Sequence, residues 1–445
     1  MQFTVSNFRA LRAVQTVSFA ASNYDKSLPE NFIAPDFPGL KGQKWLKGIA
    51  FYGPNAGGKT SVIEALEALA KMVKNSAGVL NEDEPITEIE PFGLSEDSAK
   101  EPTGFGVVFV AGGTRFEYRV AATRQRVWHE SLRAFPKTRE QIWFSRDWNS
   151  EKETYLWTPE SPAGYRRDPH RESYTLKNVL FLSKAISLGD EQLKPVFQWF
   201  NDRLRFFDLS QNSEKPGHKF TAKQFEDETE LAPKIRELIR HADLGVEDIE
   251  LEKEATSDPG AHLLEVMTDP KTGESLFIPR GPTSRKVKLL HGNRSSSPKA
   301  LPWSSESRGT HRLFSLVGPW LEILKNGDTV CIDELETSMH PGMVVELLRL
   351  FFQEKTNPKG AQILFTTHNP LLLDPTLLRR DQIWFADKDK FGEAHLYPLT
   401  DYAPRKGESL VRGYLAGRYG AVPFIPEGLF GSFVADTEVE GGEEE

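Results

Sequence analysis

A run of eight residues has the types and spacing of a phosphate-binding loop, G-x-x-x-x-G-K-[ST]. Glycines let backbone N–H groups approach a phosphate, because no Cβ atom is in the way. A strand-like segment precedes the run, and apolar residues at helical spacing follow it. The N-terminus of the predicted helix adds positive charge where the phosphate would bind. The expected phosphate ligands, called the phosphate loop below, are Gly53, Pro54, Asn55, Ala56, Gly57, Gly58, Lys59 and Thr60, followed by Ser61.

Two of these residues have side chains with a specific chemistry. The Lys59 side chain is long enough for its ammonium group to reach the β- and γ-phosphates of a nucleotide, and the Thr60 hydroxyl is expected to bind Mg²⁺.

A second motif fits the same chemistry. The apolar strand Thr329–Ile332 ends in two adjacent carboxylates, Asp333 and Glu334. Ligands bind at the carboxyl ends of parallel strands. We therefore expect Asp333 to hold Mg²⁺ and Glu334 to orient or deprotonate an attacking water.

A third motif is the run Glu306-Ser307-Arg308-Gly309-Thr310, called the ESRGT run below. It opens a predicted helix, and Gly309 lies 24 residues before Asp333. Ser307 and Gly309 at a helix N-terminus predict an anion site. Since the phosphate loop already serves one nucleotide, this second site suits the γ-phosphate of a nucleotide bound by another subunit. The alternative interpretation is an ordinary helix cap.

His368 ends the strand-like run QILFTTH, 35 positions after Asp333. At a strand end of the same sheet, it is expected to contact the γ-phosphate and to take part in hydrolysis. The alternative is a structural histidine. Asp387-Lys388-Asp389 also follows a strand, but we interpret this pair of carboxylates as a turn rather than as a nuclease metal site.

Four segments are expected along the chain. An N-terminal lobe at 1–176 holds the phosphate loop and several strands, including a hairpin that turns at Gly112–Gly113. An inserted helical and β subdomain is expected at 177–300. It contains two segments with helical spacing, EQLKPVFQWFNDRLRFFDL and ELAPKIRELIRHADLG, and a hairpin that turns at Pro270–Gly273. From 301 to 426 helices and strands alternate, which predicts a parallel α/β sheet. The remainder, 427–445, is expected to be an acidic disordered tail.

Composition excludes several classes of protein. The chain has 445 residues, of which 38% are hydrophobic, so a wholly disordered or fibrous protein is excluded. No run of 18 apolar residues occurs, which predicts no spanning helix and no membrane partner. The first twenty residues lack the core of a secretory signal. The single cysteine, Cys331, cannot form an intrachain disulfide, and a cytoplasmic location fits best.

Charge is unevenly distributed. The net charge is −9, and the last ten residues hold six carboxylates. Between Pro279 and Ser305 the imbalance is reversed, and this basic stretch has no carboxylate. It is either a nucleic-acid contact or a solvated loop. Its basic residues are Arg280, Arg285, Lys286, Lys288, Arg294 and Lys299.

In their order and spacing, these motifs resemble those of SMC/ABC-type ATPases. Gly53–Thr60 resembles the Walker A loop, the ESRGT run the signature motif, Val330–Glu334 the Walker B motif and His368 the switch histidine. The phrases SNFRAL, HADLGVEDIEL and RGYLAGRYGAVPF, with Ser338-Met339-His340-Pro341, resemble the overcoming-lysogenisation-defect-like branch. Similar chains are ATPase subunits of restriction-linked and abortive-infection phage-defence systems. The signature differs by having Arg308 where a glycine usually stands, and no Q-loop can be placed.

The resemblance implies an α/β ABC-type ATPase head with a mixed, largely parallel sheet, an inserted helical and hairpin subdomain, and no long coiled coil. It implies ATP and Mg²⁺ as cofactors and a homodimer or higher oligomer that closes around ATP. Only 77 residues follow His368, too few for a Toprim nuclease domain after the last strands. We therefore expect a separate effector, a Toprim-like nuclease, in anti-phage defence. The alternative is a stand-alone ATP-dependent DNA clamp in repair or chromosome handling.

Overall fold

The structure is a computed structural model, and the residues it describes are 1–35, 42–158, 164–166, 168–207, 214–242, 244–255, 264–268, 275–279, 283–292, 297–405 and 407–423. Three sequence-based predictions lie outside these ranges, either wholly or in part. They are the acidic tail at 427–445, the hairpin turn at Pro270–Gly273, and Arg280 and Arg294 of the basic stretch.

The strands follow the predicted order along most of the chain. The first ten are β1 (Gln2–Ser6), β2 (Gln15–Ser18), β3 (Phe32–Ile33), β4 (Trp45–Leu46), β5 (Gly48–Tyr52), β6 (Thr103–Ala111), β7 (Thr114–Ala122), β8 (Val127–Phe135), β9 (Gln141–Asn149) and β10 (Thr154–Thr158). The others are β11 (Leu204–Phe207), β12 (Val246–Ala255), β13 (Leu264–Thr268), β14 (Ser275–Pro279), β15 (Thr283–His291), β16 (Lys299–Ala300), β17 (Thr329–Ile332), β18 (Gln362–Thr366), β19 (Ile383–Lys388) and β20 (Ala394–Pro398).

The helices include those predicted after the phosphate loop, after the ESRGT run and after the strand that ends at Asp333. In chain order they are α1 (Lys59–Val79), α2 (Pro169–Ser173), α3 (Phe181–Ser187), α4 (Lys194–Gln198), α5 (Glu214–Glu226), α6 (Ala232–His241), α7 (Arg308–Asn326), α8 (Pro341–Phe352) and α9 (Leu410–Leu415). A π-helical turn, Trp199–Arg203, follows α4. The longest helix in the described ranges is α1, with 21 residues, and none there forms a long coiled coil.

A six-stranded mixed sheet carries the predicted chemistry, in the order β11-β17-β18-β5-β19-β20. The central strand β5 pairs in parallel with β18 and with β19, and β20 lies antiparallel to β19. Every residue of β5, β17 and β18 is buried, as expected for inner strands of a sheet covered on both faces. The predicted α/β class with a mixed sheet is therefore confirmed.

A second, antiparallel sheet of seven strands has the order β10-β9-β8-β7-β6-β1-β2. The predicted hairpin is present as β6 and β7, and Gly112 and Gly113 at its turn have φ values of 53° and 74°. Such left-handed backbone positions favour glycine. One face of the sheet is buried against α1 through alternating apolar residues, and Phe105, Val107 and Tyr118 belong to this core.

The long helix predicted from EQLKPVFQWFNDRLRFFDL is wrong over Leu204–Phe207, which form a strand. The chain passes through the π-helical turn and then forms β11 at the edge of the six-stranded sheet. The Trp199 ring stacks on Phe109 with centroids 4.1 Å apart, and Phe200 is fully buried. Packing of these rings and pairing of β11 override the local helical spacing.

The chain divides into two compact units. The first contains Met1–Phe206, Cys331–Glu334 and Gln362–Glu445, and the second contains Phe207–Val330 and Leu335–Ala361. Within the second unit, β15 pairs with β12 and β16, and β13 pairs with β14 as predicted. Its core combines α5, α6, β12 and β15 with one face of α7. The buried residues are Ala222, Phe225, Leu231, Ala232, Ile235, Ile239, Val246, Ile249, Val287, Leu289, Phe314 and Val317.

Candidate nucleotide site

The phosphate loop connects β5 directly to α1, which begins at Lys59 with Gly58 as its N-cap residue. The loop is closed by a hydrogen bond from the Gly57 N–H to the Pro54 carbonyl oxygen at 3.1 Å. The Lys59 side chain is buried, and its Nζ donates to the carbonyl oxygens of Gly53 at 3.0 Å and Pro54 at 2.9 Å. The ammonium group thus lies on the loop backbone, at the N-terminus of α1.

Three glycines of the phosphate loop have a packing reason to be glycine. A Cβ atom on Gly53 would lie 2.2 Å from the Ala386 carbonyl oxygen, and one on Gly57 would lie 2.9 Å from that same oxygen. A Cβ atom on Gly58 would lie 2.5 Å from Cβ of Ala394, and Gly58 has a φ of 98°. The loop therefore rests directly on β19 and β20, and its glycines meet a requirement of the fold as well as that of a phosphate.

The two residues expected to bind Mg²⁺ lie together. The Thr60 hydroxyl donates to Oδ2 of Asp333 at 2.9 Å. Their sequence separation is 273 residues, and both belong to the first unit. A hydroxyl and a carboxylate are the hard oxygen ligands that Mg²⁺ prefers, and they face the N-terminus of α1 where phosphates bind. The residues present therefore fit a magnesium ion held with a nucleotide.

Thr366, at the end of β18, connects the two acidic residues. Its hydroxyl donates to Oδ1 of Asp333 at 2.5 Å and accepts from the backbone N–H of Glu334 at 2.8 Å. Glu334 has a φ of 48°, a left-handed conformation that is unusual for this residue type. Sequence reasoning singled out the strand but missed Thr366. The available signal was a pair of threonines ending a buried strand just before His368.

The predicted hydrolytic residues are also near each other. Nε2 of His368 lies 3.9 Å from Oε1 of Glu334. Both side chains are accessible, with 35% of His368 and 56% of Glu334 exposed, so water can reach them. A carboxylate with a histidine beside it can orient a water molecule and accept its proton.

An arginine beside the site was not predicted. Arg9 forms a fork with Glu90, with Nε–Oε2 and Nη2–Oε1 distances of 2.8 and 3.0 Å, and it also contacts Glu64. Glu64 lies one helical turn after Thr60. Burial raises the pKa of Glu64, Arg9 opposes this, and the charge of Asp333 adds to it. Arg9 thus supplies positive charge where carboxylates accumulate near the expected cation.

The C-terminal segment packs against the other side of the phosphate loop. The Tyr414 hydroxyl donates to the Ala421 carbonyl oxygen at 3.2 Å and is hydrogen-bonded by the backbone of Gly53. The Tyr414 ring contacts those of Tyr52 and Phe385, with centroids 5.6 and 5.8 Å apart. Burial raises the pKa of Tyr414. Residues from the phrase RGYLAGRYGAVPF therefore support the loop.

The ESRGT run lies in the second unit. Ser307 is the N-cap residue of α7, and its Oγ accepts from the Thr310 backbone N–H at 3.0 Å. Ser307 and Arg308 are exposed. A Cβ atom on Gly309 would lie 3.2 Å from the Ser338 carbonyl oxygen, so the run packs closely on the segment after Glu334. The geometry includes both an ordinary cap and an exposed helix N-terminus that an anion can approach.

Two other predicted sites have defined surroundings. Lys288 of the basic stretch forms an ion pair with Glu252 on the neighbouring strand at 2.6 Å, which partly balances its charge. Asp389 accepts from the backbone N–H groups of Phe391 and Glu393 and therefore shapes the β19–β20 turn, as expected. Within the described ranges, no group of three or more His, Cys, Asp or Glu residues could hold a metal ion. No described helix combines the length and apolar character needed to span a membrane.

A family model described as "AAA domain, putative AbiEii toxin, Type IV TA system" matches residues 49–374, a range that includes the phosphate loop, the ESRGT run, Asp333, Glu334 and His368. A comparison with curated proteins gave no match. Among solved structures, the chain is similar to an SMC head bound to the C-winged helix domain of ScpA. The identity is 10% and the TM-score 0.41, over 89% of this chain and 96% of that one.

Proposed function

We propose, from the premise that the chain belongs to the family of AAA domains described as putative AbiEii toxins of type IV toxin–antitoxin systems, that it is an Mg²⁺-dependent ATPase producing ADP and phosphate. The observation that carries this proposal is the 2.9 Å contact between Thr60 and Asp333. It places a hydroxyl and a carboxylate at the N-terminus of the helix that follows a phosphate loop. ATP use accords with the family, and the contact supports a role for the cation.

Each step of hydrolysis has a candidate residue. Lys59 moves its ammonium group from the loop carbonyls to the β- and γ-phosphates, since a phosphate is the stronger acceptor. Thr60 and Asp333 would hold Mg²⁺, which supplies charge neutralisation on the phosphates when bound. Glu334 orients the attacking water and takes its proton, and His368 beside it contacts the γ-phosphate.

We further propose that two chains close around two ATP molecules. The exposed Ser307 and the neighbouring Gly309 of one chain then complete the site formed by the phosphate loop of the other. The free energy of ATP binding thereby stabilises the dimer, and hydrolysis allows the two chains to separate. The exposure of Ser307 and its position at the N-terminus of a 19-residue helix support this role.

The dimer is proposed to regulate a separate effector, a Toprim-like nuclease, in anti-phage defence. Two observations support this context. The motif order resembles that of ATPase subunits from phage-defence systems, and the family description refers to a toxin of a toxin–antitoxin system.

The variant Glu334→Gln tests the ATPase and the dimer together. It keeps the ligands for ATP but removes the base, so it is expected to bind ATP, to hydrolyse it at least about 100-fold more slowly, and to accumulate as a dimer. Sedimentation with and without ATP measures the assembly. Glu346→Gln is the matched control, because Glu346 is an exposed residue on α8 that forms an ion pair with Arg349 of the same helix. Blocked hydrolysis without ATP-dependent assembly would contradict the dimer.

The effector is tested with the same variant. Glu334→Gln is purified from its native host in the presence of ATP, and the proteins that accompany it are identified by mass spectrometry. A stoichiometric nuclease-like partner is the expected result. Recovery of the chain alone, or with DNA only, would contradict the separate effector and would favour the stand-alone clamp.

A further inference from the structure

The residue before the signature serine is tethered by a buried polar contact. Glu306 directly precedes Ser307, and only 4% of its side chain is exposed. Its Oε1 lies 2.8 Å from Nε2 of His291, the last residue of β15. A buried carboxylate is costly unless it is paired, so this contact fixes the backbone next to Ser307. His291 reaches it from a strand that pairs with both β12 and β16.

A second tether holds the same turn through aromatic rings. The Trp303 ring stacks on His311 with centroids 4.5 Å apart and an angle of 13°, and His311 donates from Nε2 to the Trp303 carbonyl oxygen at 2.8 Å. His218 of α5 packs edge-on against Trp303 at 4.5 Å. Trp303 also packs on the core of the second unit. The turn before Ser307 is therefore held on both sides by residues outside the ESRGT run.

The signature helix itself is locked to α5. A Cβ atom on Gly217 would lie 2.3 Å from the Ser315 carbonyl oxygen, and one on Gly318 would lie 2.4 Å from Oγ1 of Thr221. Glycines on both helices thus permit a close crossing that larger residues would prevent. Because interiors packed this closely resist deformation, a displacement of α5 would be transmitted to α7.

We propose that His291 is a positioning residue for Ser307. The inserted module, defined as α5, α6, β12, β15 and β16, then sets the geometry of the signature that completes the partner subunit's site. This inference rests on the proposed ATP-bound dimer and deepens it. Ser307 needs such support because it is exposed and caps its own helix, so its position depends on the residues that hold the turn before it.

The test uses His291→Ala in the full chain, with His241→Ala as matched control. His241 is an exposed histidine of the same unit, and its ring is hydrogen-bonded to the Glu237 carbonyl oxygen of its own helix. His291→Ala is expected to bind ATP within about twofold of wild type, because the phosphate loop lies in the first unit. Its hydrolysis rate at saturating ATP is expected to fall about 10- to 100-fold through misplacement of the signature. His291→Gln, which keeps an N–H donor, is expected to recover most of the rate.

A mixing experiment separates positioning from general damage. Lys59→Ala lacks a working phosphate loop but keeps its signature, whereas His291→Ala has the reverse defect. Mixed dimers contain one intact composite site, so the mixture is expected to hydrolyse ATP faster than either variant alone. If His291→Ala does not fold, a double variant with His291→Leu and Glu306→Met replaces it, because removing both polar partners leaves no buried orphan.

The outcomes are distinguishable. Wild-type hydrolysis by His291→Ala, or by the double variant, together with an inactive Ser307→Arg overturns the role of His291 and leaves the dimer intact. A slow His291→Ala that gains nothing on mixing also overturns the positioning role. Wild-type hydrolysis by Ser307→Arg overturns the composite site, and with it the function that His291 would serve.

Discussion

The Thr366 hydroxyl donates a 2.5 Å hydrogen bond to Oδ1 of Asp333 while accepting one from the Glu334 backbone N–H. One side chain on β18 thus fixes two adjacent residues at the end of β17. The other oxygen of Asp333 stays directed at Thr60, and Glu334 is held in its left-handed conformation. Thr366 therefore aligns the expected cation ligand and the expected base relative to each other.

Replacing Thr366 by valine removes the hydroxyl with little change in shape. We expect ATP affinity to change by less than about threefold, because Lys59 and the loop backbone remain, and the turnover rate to fall about 10- to 100-fold. Steady-state hydrolysis combined with a binding assay measures both. Thr4→Val is the control, since the Thr4 hydroxyl is hydrogen-bonded to that of Thr16 on the exposed face of the antiparallel sheet. Equal effects of the two variants would refute the alignment role.

Replacing Lys59 by alanine tests the phosphate loop. It removes the only side-chain cation that the loop itself contributes, and charge-assisted hydrogen bonds to phosphate are lost with it. ATP affinity is expected to fall at least about 100-fold. Lys71→Ala is the matched control, because Lys71 lies on the same helix and pairs with Glu67 on its surface. Tight ATP binding by Lys59→Ala, measured by calorimetry, would contradict the assignment of the phosphate loop.

Alanine substitutions at Gly58, the N-cap residue of α1, and at Gly78, near the end of α1, are expected to change the free energy of unfolding in opposite directions. Gly58→Ala places a Cβ atom against Ala394 and forces a φ of 98° on a residue that disfavours it. It is expected to lower the free energy of unfolding by about 1–3 kcal/mol. Gly78 is exposed near the end of α1, and no atom lies within 4 Å of the position its Cβ would take, so Gly78→Ala is expected to stabilise by about 0.5–1 kcal/mol. Urea denaturation followed by circular dichroism compares them, and a harmless Gly58→Ala would contradict the packing described.

The second unit should lose stability in mild acid. Burial against Trp303 and Phe314, and to a lesser extent the charge of His311, lower the pKa of His218. The unfolded chain then binds a proton at His218 more readily than the folded chain does. The contribution of the neutral, buried His218 ring to the free energy of unfolding is therefore complete above about pH 6.5 and is lost as the pH falls. His218→Phe keeps the ring contacts and should narrow the difference in melting temperature between pH 8 and pH 5. The exposed His241→Phe should leave that difference unchanged, and an unaltered difference in His218→Phe would exclude His218 as the cause.

Sequence patterns anticipated those parts of the site that depend on local order. Lys59, Asp333 and His368 each end or follow a strand, and parallel strands bring their carboxyl ends to one edge. Thr366 escaped because its hydrogen bond to Asp333 spans 33 residues and no local pattern encodes it. Helix α5 escaped for another reason. Pro216 and Gly217 near the start of α5 lower the helix propensity of this segment, and packing on α7 stabilises the helix.

The narrower assignment to the overcoming-lysogenisation-defect-like branch stays a prediction, as does the separate effector partner. The family match fixes the broader class, a P-loop AAA domain, over residues 49–374. Motif spacing was sufficient for that class because each motif has one physical role at one strand or helix end. Branch and partner depend on surfaces, for which single motifs give no comparable constraint.

The glycine crossing of α5 and α7 determines which parts of this protein can be inherited or engineered separately. Gly217 and Gly318 are far apart in sequence, yet each leaves room for a specific atom of the opposite helix. A chimera that takes only the inserted module from a relative would join helices shaped for different partners. The transferable block is the module together with Arg308–Asn326, and recombination between relatives is expected to preserve that pair even where the rest of the insertion diverges.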